Sequence, residues 1–375
     1  MSATDTQWLT EEERLDWLQL IRSDNVGPSA FRALIRRAGS AREALAALPT
    51  LASRGGAGRR IRVASRDEAE AELKAADRLG IGLIGIDEPN YPQWLRRTDG
   101  APPLIGVRGS AECLSRPMIA IVGSRNASAA GRKMAAILAR DLGEAGFVIA
   151  SGLARGVDTS AHEAALRTGT VAVFAGGLDY VYPPQNRELA EEIIVSGGAT
   201  VSEMPVGWEP RAKDFPRRNR IIAGLSLATV VVEAAERSGS LITARMALEQ
   251  DREVMAVPGS PLDPRAAGAN RLLKQGAVIV TEAEDVIECL RPIMGDMPPP
   301  PEALAEAPAA PVSLTDEPLD RERDLVAEAL GPSPIEVDEI VRLTGLPVQT
   351  VSISLLEMEL AGRLERHPGQ RVSLR

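Results

Sequence analysis

A chain of 375 residues is too long for one hydrophobic core, so two or three domains are expected. Apolar residues make up 44% and charged residues 25%, an ordinary globular balance, and no apolar run approaches the roughly 18 residues that span a bilayer. The net charge of -9 argues against a nucleic-acid binder, yet it averages unlike parts: residues 296–375 hold 7 basic and 15 acidic side chains, residues 1–295 hold 36 and 37. Cys113 and Cys289 are too few and too far apart for a disulfide framework or a zinc site. Residues 1–10 lack the basic and apolar regions of a secretory signal, so a reduced, cytoplasmic protein is expected.

In chain order, Glu11 to Ile21, Ser29 to Ala38 and Ala41 to Leu48 carry apolar residues at helical spacing, separated by Asn25-Val26-Gly27-Pro28 and Gly39-Ser40. They predict a small helical bundle over residues 1–80. Val26-Gly27-Pro28 before a helix with Arg32, Arg36 and Arg37 has the form of a helix-hairpin-helix, whose amides hold a phosphate. A capped helix with solvated arginines fits the same residues. Ser53 to Arg60, rich in Gly and Arg, reads as a linker.

Residues 81–291 predict an extended Rossmann-like domain. Short apolar strands alternate with amphipathic helices, as in a parallel sheet covered on both faces. The strands are read at Met118 to Val122, Phe147 to Ala150, Thr170 to Phe174, Ala199 to Val201, Ala228 to Val232, Glu253 to Ala256 and Ala277 to Val280. Ligands of such sheets bind beyond the carboxyl ends of the strands. The loops there are Gly123-Ser124-Arg125, the run from Ser151 through Gly152, Ala154 and Arg155 to Asp158, and, after Glu233, Ser238-Gly239-Ser240 at the start of a helix carrying Thr243. Small residues let backbone amides approach an anion, so these loops read as a phosphate cradle. Neither a G-x-G-x-x-G fingerprint nor a G-x-x-x-x-G-K-[ST] loop is present, so no nucleotide cofactor is expected; Arg125 at a strand end suits a phosphodiester.

The segment Arg211 to Arg220 has five cations and one acid in ten residues, +4, with Phe215 inside it. Lys213 and Phe215 stand out in a chain with only four phenylalanines. Cations neutralise a backbone and an aromatic ring offers a base a stacking face, a combination that suits single-stranded nucleic acid. The structural alternative has Arg217, Arg218 and Arg220 in ion pairs at the sheet rim, Phe215 plugging the core and Asn219 capping a helix. His162 lacks a nucleophile or metal-ligand set at diagnostic spacing, and Asp158 and Asp179 lack the pairing of a two-metal nuclease.

Residues 292–318 hold eight prolines and read as an extended linker. Residues 319–375 follow as a winged helix: helices at Asp320 to Leu330, Val337 to Thr344 and Val348 to Leu360, then a hairpin over Arg363 to Leu374. The third helix contains Glu357 and Glu359 and no Lys or Arg, which disfavours DNA reading; Arg363, Arg366, Arg371 and Arg375 on the wing keep it open.

These motifs resemble the DNA-processing protein A family (DprA, also called Smf) of bacterial natural transformation. The resemblance rests on Tyr91-Pro92, Ile121-Val122-Gly123-Ser124-Arg125, Ser151 to Asp158, Ala175-Gly176-Gly177-Leu178-Asp179, Tyr182-Pro183, Phe215 to Ser226, Ser238 to Ala244 and Val257-Pro258-Gly259, in that order over about 200 residues. It implies a cytoplasmic, non-enzymatic homodimer that binds and protects single-stranded DNA and loads the RecA recombinase while displacing single-strand-binding protein. It also implies DNA contacts at Arg125 and at Lys213 or Arg218, and a dimer contact near Gly268 to Gly276 with Leu272 and Leu273. The rivals are a nucleotide phosphoribohydrolase, whose Pro-Gly-Gly-x-Gly-Thr helix start is replaced here by Ser238 to Thr243, and a winged-helix transcription regulator.

Overall fold

A computed structural model describes residues 8–56, 61–295, 318–367 and 369–375. The described residues divide into two compact units, one from both ends (residues 9–56, 61–73, 318–367 and 369–375) and one from the middle (residues 74–295, with Trp8).

The end unit begins with α1 (Glu11–Ile21), α2 (Pro28–Ala38) and α3 (Ala41–Arg54). Thr10 starts α1 with a reciprocal cap: its hydroxyl accepts from Glu13 N at 3.2 Å while its own N–H donates to Glu13 Oε2 at 2.9 Å. Trp17 of α1 meets Phe31 of α2 edge to face at 5.0 Å. α3 runs six residues beyond its expected end, through Pro49, because Leu51 and Ala52 still face the core. The linker read over Ser53 to Arg60 thus opens in helix; residues 57–60 lie outside the described residues. α4 (Arg66–Arg78) leads into the middle unit.

There, β1 (Ile81–Gly85), α5 (Gln93–Arg96) and β2 (Leu104–Gly109) precede the alternating core: β3 (Met118–Val122), α6 (Ala129–Glu144), β4 (Val148–Ser151), α7 (Val157–Ala165), β5 (Thr170–Val173), α8 (Arg187–Val195) and β6 (Ala199–Ser202). α9 (Asp214–Leu225), β7 (Ala228–Val231), α10 (Gly239–Leu248), β8 (Glu253–Ala256), α11 (Ala267–Lys274), β9 (Val278–Ile279) and α12 (Ala283–Gly295) complete it. The sheet order is β1-β2-β6-β5-β4-β3-β7-β8-β9, parallel from β6 to β9. β1 and β2 extend it antiparallel, an extension that the sequence reading did not contain. β3 is buried at all five residues because helices cover both faces, which is why it reads as an unbroken apolar run.

The chain enters the parallel sheet at β3, winds outward to β6, then returns to place β7 on the other side of β3. That reversal makes a crevice beyond the carboxyl ends of β3 and β7. α12 remains helical through Pro292 to Gly295, past the start expected for the linker. The run Pro298 to Pro301 lies outside the described residues.

The winged helix comprises α13 (Asp320–Glu328), β10 (Ile335–Glu336), α14 (Val337–Thr344), α15 (Val348–Leu360), β11 (Leu364–His367) and β12 (Arg371–Leu374). Its core is Val326, Leu330, Ile340, Val351, Leu355, Met358, Leu364 and Val372. α15 also packs along α3 and against α2, so the described terminal segments share one unit.

Candidate nucleic-acid interface

The crevice at the strand reversal is a cleft of about 860 Å³ lined by Gly123, Ser124, Arg125, Phe215, Arg218, Asn219, Ser238, Gly239, Ser240 and Thr243, among others. A smaller cavity of about 270 Å³, lined by Gly152, Arg155, Tyr182 and Gln185, shares Arg125, Phe215 and Arg218 with it. The three predicted loops thus converge, since each leaves the carboxyl end of a parallel strand.

Close packing of these loops requires their glycines. A Cβ on Gly123 would lie 2.6 Å from Val157 Cγ2, and one on Gly156 would collide with the Ser124 carbonyl, at a φ of +82° that already favours glycine. Ser124 N donates to Glu233 O at 2.7 Å, tying the β3 loop to the β7 loop. The Glu233 carboxylate accepts from Ser128 N at 3.0 Å and from its hydroxyl at 2.6 Å at the start of α6. The Glu233 carboxylate is therefore occupied in capping α6. At α10, Ser238 is the N-cap and shares a hydrogen bond with Ser240 Oγ at 2.7 Å.

The basic segment divides sharply by burial. Its one acid, Asp214, is buried and accepts from Trp208 Nε1 at 3.0 Å and Arg211 N at 2.8 Å. Arg218 is buried as well; it donates to Gly152 O at 2.7 Å and to Val173 O, bracing the ends of β4 and β5 from α9. Gly152 has no Cβ because one would lie 2.7 Å from that guanidinium. Burial draws the Arg218 pKa down to about 10, against the favourable charge of Asp158. Asp158 Oδ2 accepts from Gly152 N at 3.1 Å and Ala154 N at 3.3 Å; burial raises its pKa, while Arg218 and these amides lower it. Gly152 and Arg218 therefore brace the cradle from within, and both also line its cavities.

Arg217 pairs with Glu203 at 2.9 Å, and Arg220 binds Glu203 and Gly100 O. Asn219 Nδ2 donates to Gly239 O at 3.3 Å, stitching α9 to the α10 turn instead of capping a helix. Both arginines thus make the rim ion pairs of the structural alternative, while the Arg217 side chain stays half-exposed. Lys213 is exposed but lines neither cavity. Arg125 and Arg155 are exposed, with no carboxylate partner among the described residues. The Arg125 guanidinium lies 5.3 Å above the Phe215 ring, and Tyr182 meets that ring edge to face at 5.3 Å.

Arg237 and Tyr182 also line the larger cleft, and neither was singled out as a site residue. Arg237 sits one residue before the Ser238 turn, so its position beside a helix start was an available signal. Tyr182 belongs to a motif named above, but only folding sets it against Phe215. His162 is fully buried: Thr170 Oγ1 donates to Ile149 O at 2.7 Å and so accepts from His162 Nδ1 at 2.7 Å. Burial pushes its pKa down to about 3, leaving it neutral.

The model of the DNA recombination-mediator protein A family matches residues 82–291. A helix-hairpin-helix model of DprA-like amino termini matches 11–75, and the DprA winged-helix model 298–370. The chain is 40% identical over 312 residues to protein Smf of Escherichia coli, covering 83% of this chain and 82% of that one. It is 42% identical over 219 residues to DNA processing protein DprA of Bacillus subtilis, covering 58% of this chain and 73% of that one. Among solved structures, DNA processing protein A of Streptococcus pneumoniae aligns with a TM-score of 0.61 at 33% identity over 75% of this chain and 98% of that one. The Helicobacter pylori protein, described by its single-stranded DNA binding mode, aligns with a TM-score of 0.52 at 28% identity over 57% of this chain and 96% of that one. With the Rossmann-like body and both terminal domains matched in order, the chain belongs to the DNA recombination-mediator protein A (DprA/Smf) family.

Proposed function

We propose that the protein is a non-enzymatic binder of single-stranded DNA. The observation that carries this reading is the cleft itself: loop amides and the Ser238-Gly239-Ser240 turn meet exposed Arg125, Arg155 and Arg237 around an aromatic pair, with Glu233 already engaged. Phosphates seat on amides and cations while a base stacks at Phe215 and Tyr182; Lys213 meets the backbone outside the cleft. The single-stranded DNA binding attributed to the Helicobacter pylori relative supports the same ligand class.

Anisotropy titrations with single-stranded, duplex and mononucleotide ligands test the reading. The single strand should bind tightest and weaken as salt rises, since neutralised phosphates release counterions. Arg125→Ala and Lys213→Ala should each weaken it without lowering the melting temperature; wild-type affinity in both would overturn the site. Release of a base from a nucleoside monophosphate by purified protein would favour the hydrolase instead.

The proposal extends to a cytoplasmic homodimer that protects incoming strands and loads RecA in place of single-strand-binding protein. Supporting a pairing surface, β9 ends the sheet beside α11, with Ile279 56% exposed. Ile279→Lys should shift the molar mass by light scattering toward one chain, and RecA filament assembly on coated strands should quicken with wild-type protein.

A further inference from the structure

We infer that the winged helix is a docking element for the amino-terminal helices of its own chain: α15, the helix that reads duplex DNA in winged-helix binders, is committed to the α2–α3 face, which welds the two chain ends into one module. This rests on the end unit alone and is independent of the cleft.

The decisive feature is that α15 carries two apolar stripes. Val351, Leu355 and Met358 belong to the winged helix's own core. Ile353, Leu356 and Leu360, three and four residues apart, are buried as well but lie outside that core, and α15 packs on α3 and α2. An amphipathic surface helix needs one stripe; a helix apolar on two sides is covered on two sides.

The backbones touch at Gly55, just past α3, where a Cβ would overlap the Glu357 carbonyl. Polar ties close the contact at the far end of α15. Asn25 Nδ2, from the turn before α2, donates to Leu360 O at 2.9 Å, and Arg363 donates to Gly55 O at 3.2 Å.

Charge agrees with this assignment. Glu357 is buried and holds Arg323 through two bonds of 2.7 and 3.1 Å, and Arg366 binds Glu359 at 2.7 Å. What α15 leaves exposed is Val348, Gln349 and Ser352, with no cation for a phosphate. The acidic third helix is therefore an internal protein contact.

The test uses the full chain with a protease site inserted within residues 296–317. After cleavage, the carboxyl-terminal fragment should co-elute with the remainder on gel filtration at micromolar concentration. Gly55→Ala should release it; Gly55 has φ -69°, which alanine adopts freely, so release reports the lost contact. Separation in the wild type, or wild-type retention in Gly55→Ala, would overturn the proposal. Should Gly55→Ala prove insoluble, Asn25→Ala with Arg363→Ala should speed fragment dissociation at least tenfold, and an unchanged rate counts equally against it. In the uncleaved chain, Arg366→Ala with Arg371→Ala should leave duplex binding within twofold. A tenfold loss would return the wing to DNA reading and sink the assignment.

Discussion

The segment Arg211 to Arg220 and helix α15 are opposites in charge, one inviting a phosphate and the other repelling it, and in both the buried members decide the meaning. In the first, Arg218 and Asp214 turn inward and Arg217 and Arg220 share Glu203, which leaves Lys213 and Arg211 outward. In the second, Glu357 turns inward to Arg323, and the repulsion never reaches a ligand. A count of charges along the chain weighs every residue alike. Burial separates those that build a surface from those that face a partner.

The sharpest way to break the first half of this comparison is Arg218→Met. If Arg218 is a brace, its loss leaves the Gly152 and Val173 carbonyls buried without their donor and should cost about 1–3 kcal/mol of folding stability for each, by urea titration. A variant of normal stability with weakened DNA binding would make Arg218 a ligand contact after all.

Acid should act on the same layer through His162. The unfolded chain takes up a proton near pH 6.5, the folded one only at about 3, so the contribution is intact above the unfolded value and is lost as pH falls toward 3. Relative to His162→Gln, wild-type stability should decline by about 1.4 kcal/mol per pH unit between pH 6 and 4. Parallel curves for the two proteins would place the histidine in water.

Outward groups should behave differently. Phe215→Leu should weaken single-strand binding by about 1–3 kcal/mol if a base stacks there, with a smaller effect on an abasic strand of equal length. For Arg125→Ala the diagnostic quantity is the salt dependence: the slope of log K against log salt should become shallower by about 0.7 for one lost phosphate contact. Smallest of all, Arg217→Ala removes a half-exposed pair to Glu203 and should change stability by about 0–1 kcal/mol with the slope unmoved. A shallower slope in Arg217→Ala would show that the arginine exchanges Glu203 for DNA.

Much of the architecture was legible because it rests on local signals. Alternating strands and helices, the Gly345 turn before α15 and the hairpin wing all follow from periodicity and turn residues, and α1, α14, α15, β3 and β8 begin and end where patterning places them. β1 and β2 were missed because they carry Gly82, Gly85, Gly106 and Gly109 and make no alternating run. β1 pairs with β2, and β2 joins the sheet only through β6, far along the chain.

The sequence by itself determined the kind of domains, their order and the loops from which a site is built, since strand ends, small residues and caps act over a few neighbouring positions. Only the tertiary structure decided which arginines face the cleft, that Tyr182 joins Phe215, and that α15 lies on α3. Those outcomes depend on desolvation and on partners distant in the chain: Arg218 meets Gly152, and Arg363 meets Gly55. Such partners cannot be read from spacing along one segment, because burial is a property of the packed assembly.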